Sequence, residues 1–87
     1  MKPILSRTVF ETSDLYLASY LVAACGLRLW TCRAHDPEHI RFILMPQPDP
    51  ADLACYHGGR ATVLVRSFCR VLRSLEREML RAKEGKQ

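Results

Sequence analysis

Five arginines recur near the end of the chain at steps of four, three, four and four residues: Arg66, Arg70, Arg73, Arg77 and Arg81. At about 100° per residue of an α-helix, these steps place all five guanidinium groups within a wedge of roughly 80°. We call this row the arginine stripe. Guanidinium groups are planar, permanently charged and able to donate paired hydrogen bonds, so the stripe suits phosphates or carboxylates. The spacing therefore predicts an anion-binding surface on the last helix.

The opposite edge of the same helix is apolar, because the same periodicity aligns Leu64, Phe68, Val71, Leu75 and Met79. A helix with one apolar edge and one charged edge packs its apolar side into the protein and exposes the other. We expect the apolar edge to fix the helix in the core and the arginine stripe to face solvent.

The positive excess of the chain is confined to this helix. From residue 66 onward there are seven Lys and Arg against three Glu, whereas the first 65 residues carry six of each sign, so the formal net charge of +4 comes from the last helix and its tail. Glu76 lies to the side of the stripe, about 100° from Arg77, and leaves it largely unneutralised. The use of arginine at every position, with no lysine, favours bidentate contacts.

Nucleic-acid phosphates are the abundant ligand for such a row, and we expect binding to the nucleic-acid backbone. No aromatic residue or Asn interleaves the stripe, so the sequence shows no source of base recognition there. The alternative is a homo-oligomeric interaction module that docks an acidic partner protein. A solvated helix face, with Glu76, Glu78 and Glu84 interspersed, is a third interpretation.

Cysteine and histidine offer a second chemistry. Cys32, His35 and His39 surround one predicted hairpin, and Cys55 with His57 follows at a helix end. Zinc accepts such residues, but the closely spaced Cys-x-x-Cys pairs of most structural sites are absent, so we expect no metal. Cys55 and His57 are two residues apart and cannot face each other on a helix. With no P-loop, HExxH or GxSxG motif either, we expect a non-enzymatic protein without a cofactor.

The N-terminal elements are an extended segment and a helix. Residues 8–11 have strand character, residues 12–14 supply capping side chains, and Gly26 provides a left-handed stop. The helix between them, about a dozen residues long, is apolar on nearly every side and is expected to be largely buried.

Two β-rich runs, residues 27–33 and 40–45, flank a turn signal in residues 34–38 and predict a β-hairpin. Simple alternation places Leu27, Leu29 and Thr31 on one face with Ile40, Phe42 and Leu44. The other face receives Trp30, Cys32, Ile43 and Met45. Since both faces are then apolar, the second needs a cover, and we expect a symmetric dimer with Trp30, Ile43 and Met45 in its interface.

After the hairpin, Asp49-Pro50 is a capping pair that starts a short helix through about residue 56, and residues 57–59 stop it. We expect the long amphipathic helix to begin at Thr62 and end near Lys83. The predicted fold class is α+β: an extended segment, a helix, a β-hairpin, a short helix and the long C-terminal helix.

Several of these segments recur in a known pattern. They are the Phe10-Glu11-Thr12-Ser13-Asp14-Leu15-Tyr16-Leu17-Ala18-Ser19-Tyr20-Leu21 segment, Gly26, the hairpin end Arg41-Phe42-Ile43-Leu44, the Tyr56-x-x-Gly59 break and Leu72-x-x-Leu75. Over roughly residues 8–80 the chain resembles a small bacterial and phage domain family of unknown function. The resemblance implies the α+β order and no particular activity.

The totals predict one small domain, residues 1–87, with an ordered core of about 8–83. So small a chain buries a modest core, which favours a homodimer. The apolar run at residues 15–27 is too short to span a bilayer. Residues 22–25 resemble a lipoprotein cleavage site, but Glu11 and Asp14 stand directly before the apolar run. We expect a cytoplasmic protein with reduced thiols, of which Cys25 and Cys69 are buried.

Overall fold

The computed structural model describes residues 9–36 and 38–84, with the backbone alone at residues 35 and 36. Within these ranges the strands are β1 (Phe10–Thr12), β2 (Arg28–Asp36) and β3 (His39–Met45), and the helices are α1 (Leu15–Cys25), α2 (Pro50–His57) and α3 (Val65–Glu84). This is the predicted α+β order.

Helix α1 begins and ends where the sequence predicts. The backbone N–H groups of Tyr16 and Leu17 donate to the Asp14 carboxylate at 3.0 and 3.1 Å, which satisfies two unpaired donors of the first turn. At the other end Gly26 adopts a φ of 79°, a left-handed conformation that favours glycine. Residues 17–21 are all buried, so the helix is covered on several sides, as predicted.

The three strands form an antiparallel sheet in the order β1-β3-β2. The hairpin is longer than predicted. Its strands continue through the Ala34–Ile40 and Asp36–His39 pairs. Backbone pairing thus extends into residues 34–36, which the sequence suggested would turn.

A β-bulge at Trp30 overturns the predicted division of residues between the two faces. Leu29 pairs with Leu44, but Thr31 pairs with Ile43, so Trp30 is an inserted residue without a partner on β3. Because one extra residue reverses the alternation beyond it, Cys32 lies on the core face and Thr31 on the other. The prediction was wrong for both residues.

The core lies between the sheet and the helices α1 and α3. Its centre is formed by Leu21, Phe42, Leu44 and Leu75, with Phe68, Val71 and Met79 of α3 packed against it. α3 therefore presents its apolar edge to the core, as predicted.

Helix α3 begins at Val65, three residues later than predicted. Residues 61–64 alternate between partial burial and exposure, and Ala61 and Val63 pack against the core. This extended connection leaves Leu64 outside the helix with 76% of its surface exposed, so its assignment to the apolar edge was wrong. β-Branched Thr62 and Val63 favour the extended conformation.

Candidate anion-binding interface on the last helix

All five residues of the arginine stripe lie within α3 and are exposed. The position of the stripe follows from the burial of the opposite edge, where Leu75 is only 3% exposed. A continuous helix of 20 residues holds the guanidinium-bearing backbone as one rigid rod, about 30 Å long.

Four of the five arginines have no acidic partner among the residues that the structure describes. Arg81 forms an ion pair with Glu78, with 3.4 Å between Nη1 and Oε2. Within 9–36 and 38–84, no carboxylate lies in ion-pair range of the guanidinium groups of Arg66, Arg70, Arg73 or Arg77. Glu84, in the last turn, falls in the same wedge by the helical repeat and limits the stripe at its C-terminal end.

The four arginines without acidic partners share one concave surface. Arg66, Arg70, Arg73 and Arg77 line an open groove of about 410 Å³ together with Cys69. Cys69 is exposed, contrary to the prediction that it is buried, because its position on α3 lies beside the stripe and away from the core. The groove is therefore a cationic depression with an accessible thiol in it.

A second cleft lies at the C-terminal end of the stripe. It has a volume of about 400 Å³ and lies between strand β2 and helix α3; its lining is Leu29, Trp30, Thr31, Cys32, Glu78, Arg81 and Ala82. The fold thus brings Trp30, which is 52% exposed, to the same cleft as the last arginine of the stripe. Sequence periodicity cannot show this proximity, because the two residues are 51 positions apart and belong to different elements.

The face of the sheet that points away from the helices carries further arginines. By register, this outer sheet face holds Glu11, Arg28, Thr31, Arg33, Arg41, Ile43 and Met45. Arg33 lies directly opposite Arg41, whose Nη1 is 3.5 Å from Oε1 of Glu11. This surface was not predicted, because the first 65 residues carry equal numbers of positive and negative charges. The signal that could have indicated it is the placement of these arginines at alternating strand positions.

The three residues predicted for a dimer interface differ in their solvent exposure. Ile43 is already 3% exposed within one chain, whereas Met45 is partly buried and Trp30 stands out at the bulge. Of the three, Trp30 offers the largest free surface.

Among the candidate zinc ligands that the structure describes, Cys32, Cys55 and His57 lie on different elements or faces. Cys32 lies on the core face of β2, Cys55 on α2, and His57 at the end of α2, where its ring stands edge-on to Tyr56 at 5.4 Å. The side chain of His35 lies outside the described residues, and His39 is exposed at the start of β3. No group of three His, Cys, Asp or Glu that could hold a metal occurs in the described part of the chain.

Two of the thiols are held in their neutral form. Burial raises the pKa of Cys25, and burial together with the nearby charge of Glu78 raises the pKa of Cys32. A reactive cysteine requires a lowered pKa, since the thiolate is the nucleophile. Neither of these two thiols has the electrostatic environment of an activated nucleophile.

No protein-family model, curated protein or solved structure matches the chain. The resemblance to a bacterial and phage family stays a prediction. In the described residues, no helix combines the length and the apolar character that crossing a bilayer requires.

Proposed function

We propose that this protein binds nucleic acid through the phosphate backbone, with the arginine stripe as its contact surface. The observation that carries the proposal is the groove of Arg66, Arg70, Arg73 and Arg77, which have no acidic partner among the described residues. A cation without a protein partner is available to a phosphate without first breaking an ion pair. Arginine in particular can clamp phosphate oxygens with two parallel hydrogen bonds.

The contacts expected here are to the backbone, so they bind with little sequence preference. Phe68, Val71 and Leu75 pack in or against the core and hold the helix in place while the stripe contacts the ligand. Free thiols at all four cysteines suit a reducing cytosol, where nucleic acids are accessible, and a cytoplasmic location is part of the proposal.

Binding of labelled DNA and RNA at about 50 mM salt, where phosphate contacts are strongest, tests the proposal. Wild-type protein is expected to bind both. The double variant Arg70→Glu/Arg77→Glu is expected to fold, because both side chains are exposed, and to lose binding. Failure of the wild-type protein to bind any nucleic acid under these conditions would refute the proposal.

The second candidate is a homo-oligomeric module that docks an acidic protein. Exposed apolar side chains adjacent in sequence to the two ends of the stripe favour it: Leu64 and Val65, directly before Arg66, are 76% and 75% exposed, and Leu80, directly before Arg81, is 54% exposed. Exposed apolar residues near a cationic row suit a protein partner better than a phosphate chain. Light scattering at micromolar concentration separates a homodimer from a monomer, and binding to a polyglutamate probe with no binding to nucleic acid would favour this candidate.

A further inference from the structure

The single tryptophan of the chain, Trp30, does not belong to the hydrophobic core. Trp30 is the inserted residue of the bulge on β2, a strand at the edge of the sheet, and it has no partner on β3. About half of its surface is exposed, and it is absent from the core cluster. A bulge re-aims a side chain relative to the regular strand, and this one presents the largest aromatic side chain to solvent.

The C-terminal end of the arginine stripe lies close to the Trp30 ring. Arg81, the last residue of the stripe, lines the cleft of about 400 Å³ with Trp30, and the rest of the lining includes the apolar Leu29 and Ala82 and the acidic Glu78. Glu78 also carries a carboxylate 3.4 Å from the Arg81 guanidinium, so Arg81 must leave this exposed and therefore weak ion pair to contact a phosphate. The exposed aromatic ring therefore lies in the same cleft as the last arginine of the stripe.

An exposed aromatic ring beside arginines can contact the base and the phosphates of one nucleic-acid strand. Every nucleobase offers a flat π surface, so an exposed aromatic ring beside a cationic track binds unpaired bases with little sequence preference. In a duplex the bases are paired and stacked on one another, and they offer no free face to a protein ring without being unstacked. A tryptophan at the end of a phosphate-binding row therefore favours single strands over duplexes.

We propose that Trp30 stacks on an unpaired base of a single-stranded nucleic acid whose phosphates follow the arginine stripe. The inference rests on the proposed function and specifies its ligand class. From Arg66 to Arg81 the helix rises about 22 Å, which corresponds to about six nucleotides of a stacked strand at about 3.4 Å each. A strand of this length reaches from the groove near Arg66 to the cleft at Trp30.

The fluorescence of Trp30 reports directly on this contact, because no other tryptophan contributes to the signal. The probes are a thymidine oligonucleotide of about 12 nucleotides, which has no internal pairing, and a duplex of the same length. Wild-type protein is expected to show quenching on saturation with the single strand, and about tenfold tighter binding to it than to the duplex at equal salt.

Two substitutions of Trp30 separate the contribution of its aromatic ring from that of the arginines. Trp30→Ala is expected to weaken binding to the single strand by roughly tenfold, with the salt dependence unchanged because the phosphate contacts remain. Trp30→Phe keeps an aromatic face and is expected to retain most of the affinity. The wild-type quenching experiment requires no variant, so it decides the matter even if Trp30→Ala does not fold.

The outcomes separate this inference from the proposed function. Wild-type binding that is lost in Arg70→Glu/Arg77→Glu, with no quenching and no effect of Trp30→Ala, would keep the backbone-binding function and overturn the stacking. Equal affinity for single strand and duplex would also overturn it. Absence of binding to either probe would overturn both, and quenching by polyglutamate alone would assign the surface to an acidic protein instead.

Discussion

The arginine stripe and the outer sheet face are both rich in arginine, but they differ in what surrounds the charges. On the stripe, four guanidinium groups line one groove with no acidic partner among the described residues. On the outer sheet face, Arg41 is paired with Glu11, and the arginines lie around an apolar residue, Ile43.

Ile43 explains much of this difference. It is 3% exposed although it lies on the face away from the helices, and by register its neighbours there are Glu11, Thr31, Arg41 and Met45. Arginine can cover apolar surface with its methylene stem while its charge stays in water. The stripe covers no such residue, because the core lies on the opposite side of α3. A charge count alone does not distinguish arginines that shield the fold from arginines that are free for a ligand.

The largest expected effect on stability comes from truncating Leu75, which anchors the helix that carries the stripe. Leu75→Ala deletes a buried side chain of α3 and is expected to lower the free energy of unfolding by about 2–5 kcal/mol through the cavity it leaves. Leu80→Ala on the same helix is the matched control, because Leu80 is exposed, and it should cost under about 0.5 kcal/mol. Urea denaturation measures both, and equal effects would place the core elsewhere.

Charge reversal on each of the two surfaces tests whether only the arginine stripe binds the ligand. Two double variants change the net charge equally: Arg70→Glu/Arg77→Glu and Arg28→Glu/Arg33→Glu. The first removes phosphate contacts, whereas the second changes only the long-range electrostatic potential of the protein. We expect the first to reduce affinity for nucleic acid by about 100-fold or more and the second by under about tenfold. Equal losses in a binding titration would mean that the ligand senses overall charge and uses no particular surface.

Truncation of Ile43 tests the structural role of the outer sheet face. Ile43→Ala is expected to destabilise the fold by about 2–4 kcal/mol and to leave the affinity of the folded protein for nucleic acid unchanged. Denaturation and binding are measured on the same preparation at a temperature where the variant is folded. A loss of affinity without a loss of stability would assign ligand binding to this face.

High pH is expected to weaken the fold before it affects the stripe. Burial raises the pKa of Tyr20, Cys25, Cys32 and Tyr56 above ordinary values of 9.0 for Cys and 10.0 for Tyr. The unfolded chain then loses these protons first, so the folded state binds more protons and the free energy of unfolding falls as pH rises above about 9. Arginine stays charged throughout, so binding between about pH 6 and 8 should be constant. Stability that rises above pH 9 would contradict this sign.

The smallest effect concerns the Glu11–Arg41 ion pair. Both side chains are about half exposed, and such pairs contribute roughly 0–1 kcal/mol. Glu11→Gln should change the midpoint of thermal unfolding only slightly, and it should leave binding to the stripe unaltered. A large loss of stability would show that the pair is part of a stronger network.

Local signals sufficed for α1 and for the stripe. Asp14 and Gly26 cap α1 through their own backbone geometry, and the stripe follows from the helical repeat alone. The bulge at Trp30 was not predictable from alternation, because the choice of register depends on pairing with β3. The start of α3 shifted for a similar reason, since Ala61 and Val63 find their partners in the tertiary core. The cleft that joins Trp30 to Arg81 is a product of the assembled fold.

The salt dependence of binding by the wild-type protein shows directly whether the arginine stripe contacts phosphates. Four or five arginine–phosphate contacts with a single strand predict a linear decrease of log affinity against log salt with a slope of about −3. The slope should be about 1.4 shallower for Arg70→Glu/Arg77→Glu, if residual binding is measurable, because two contacts are removed. A slope near zero, or no binding at about 50 mM salt, would contradict a phosphate-binding role for the arginine stripe.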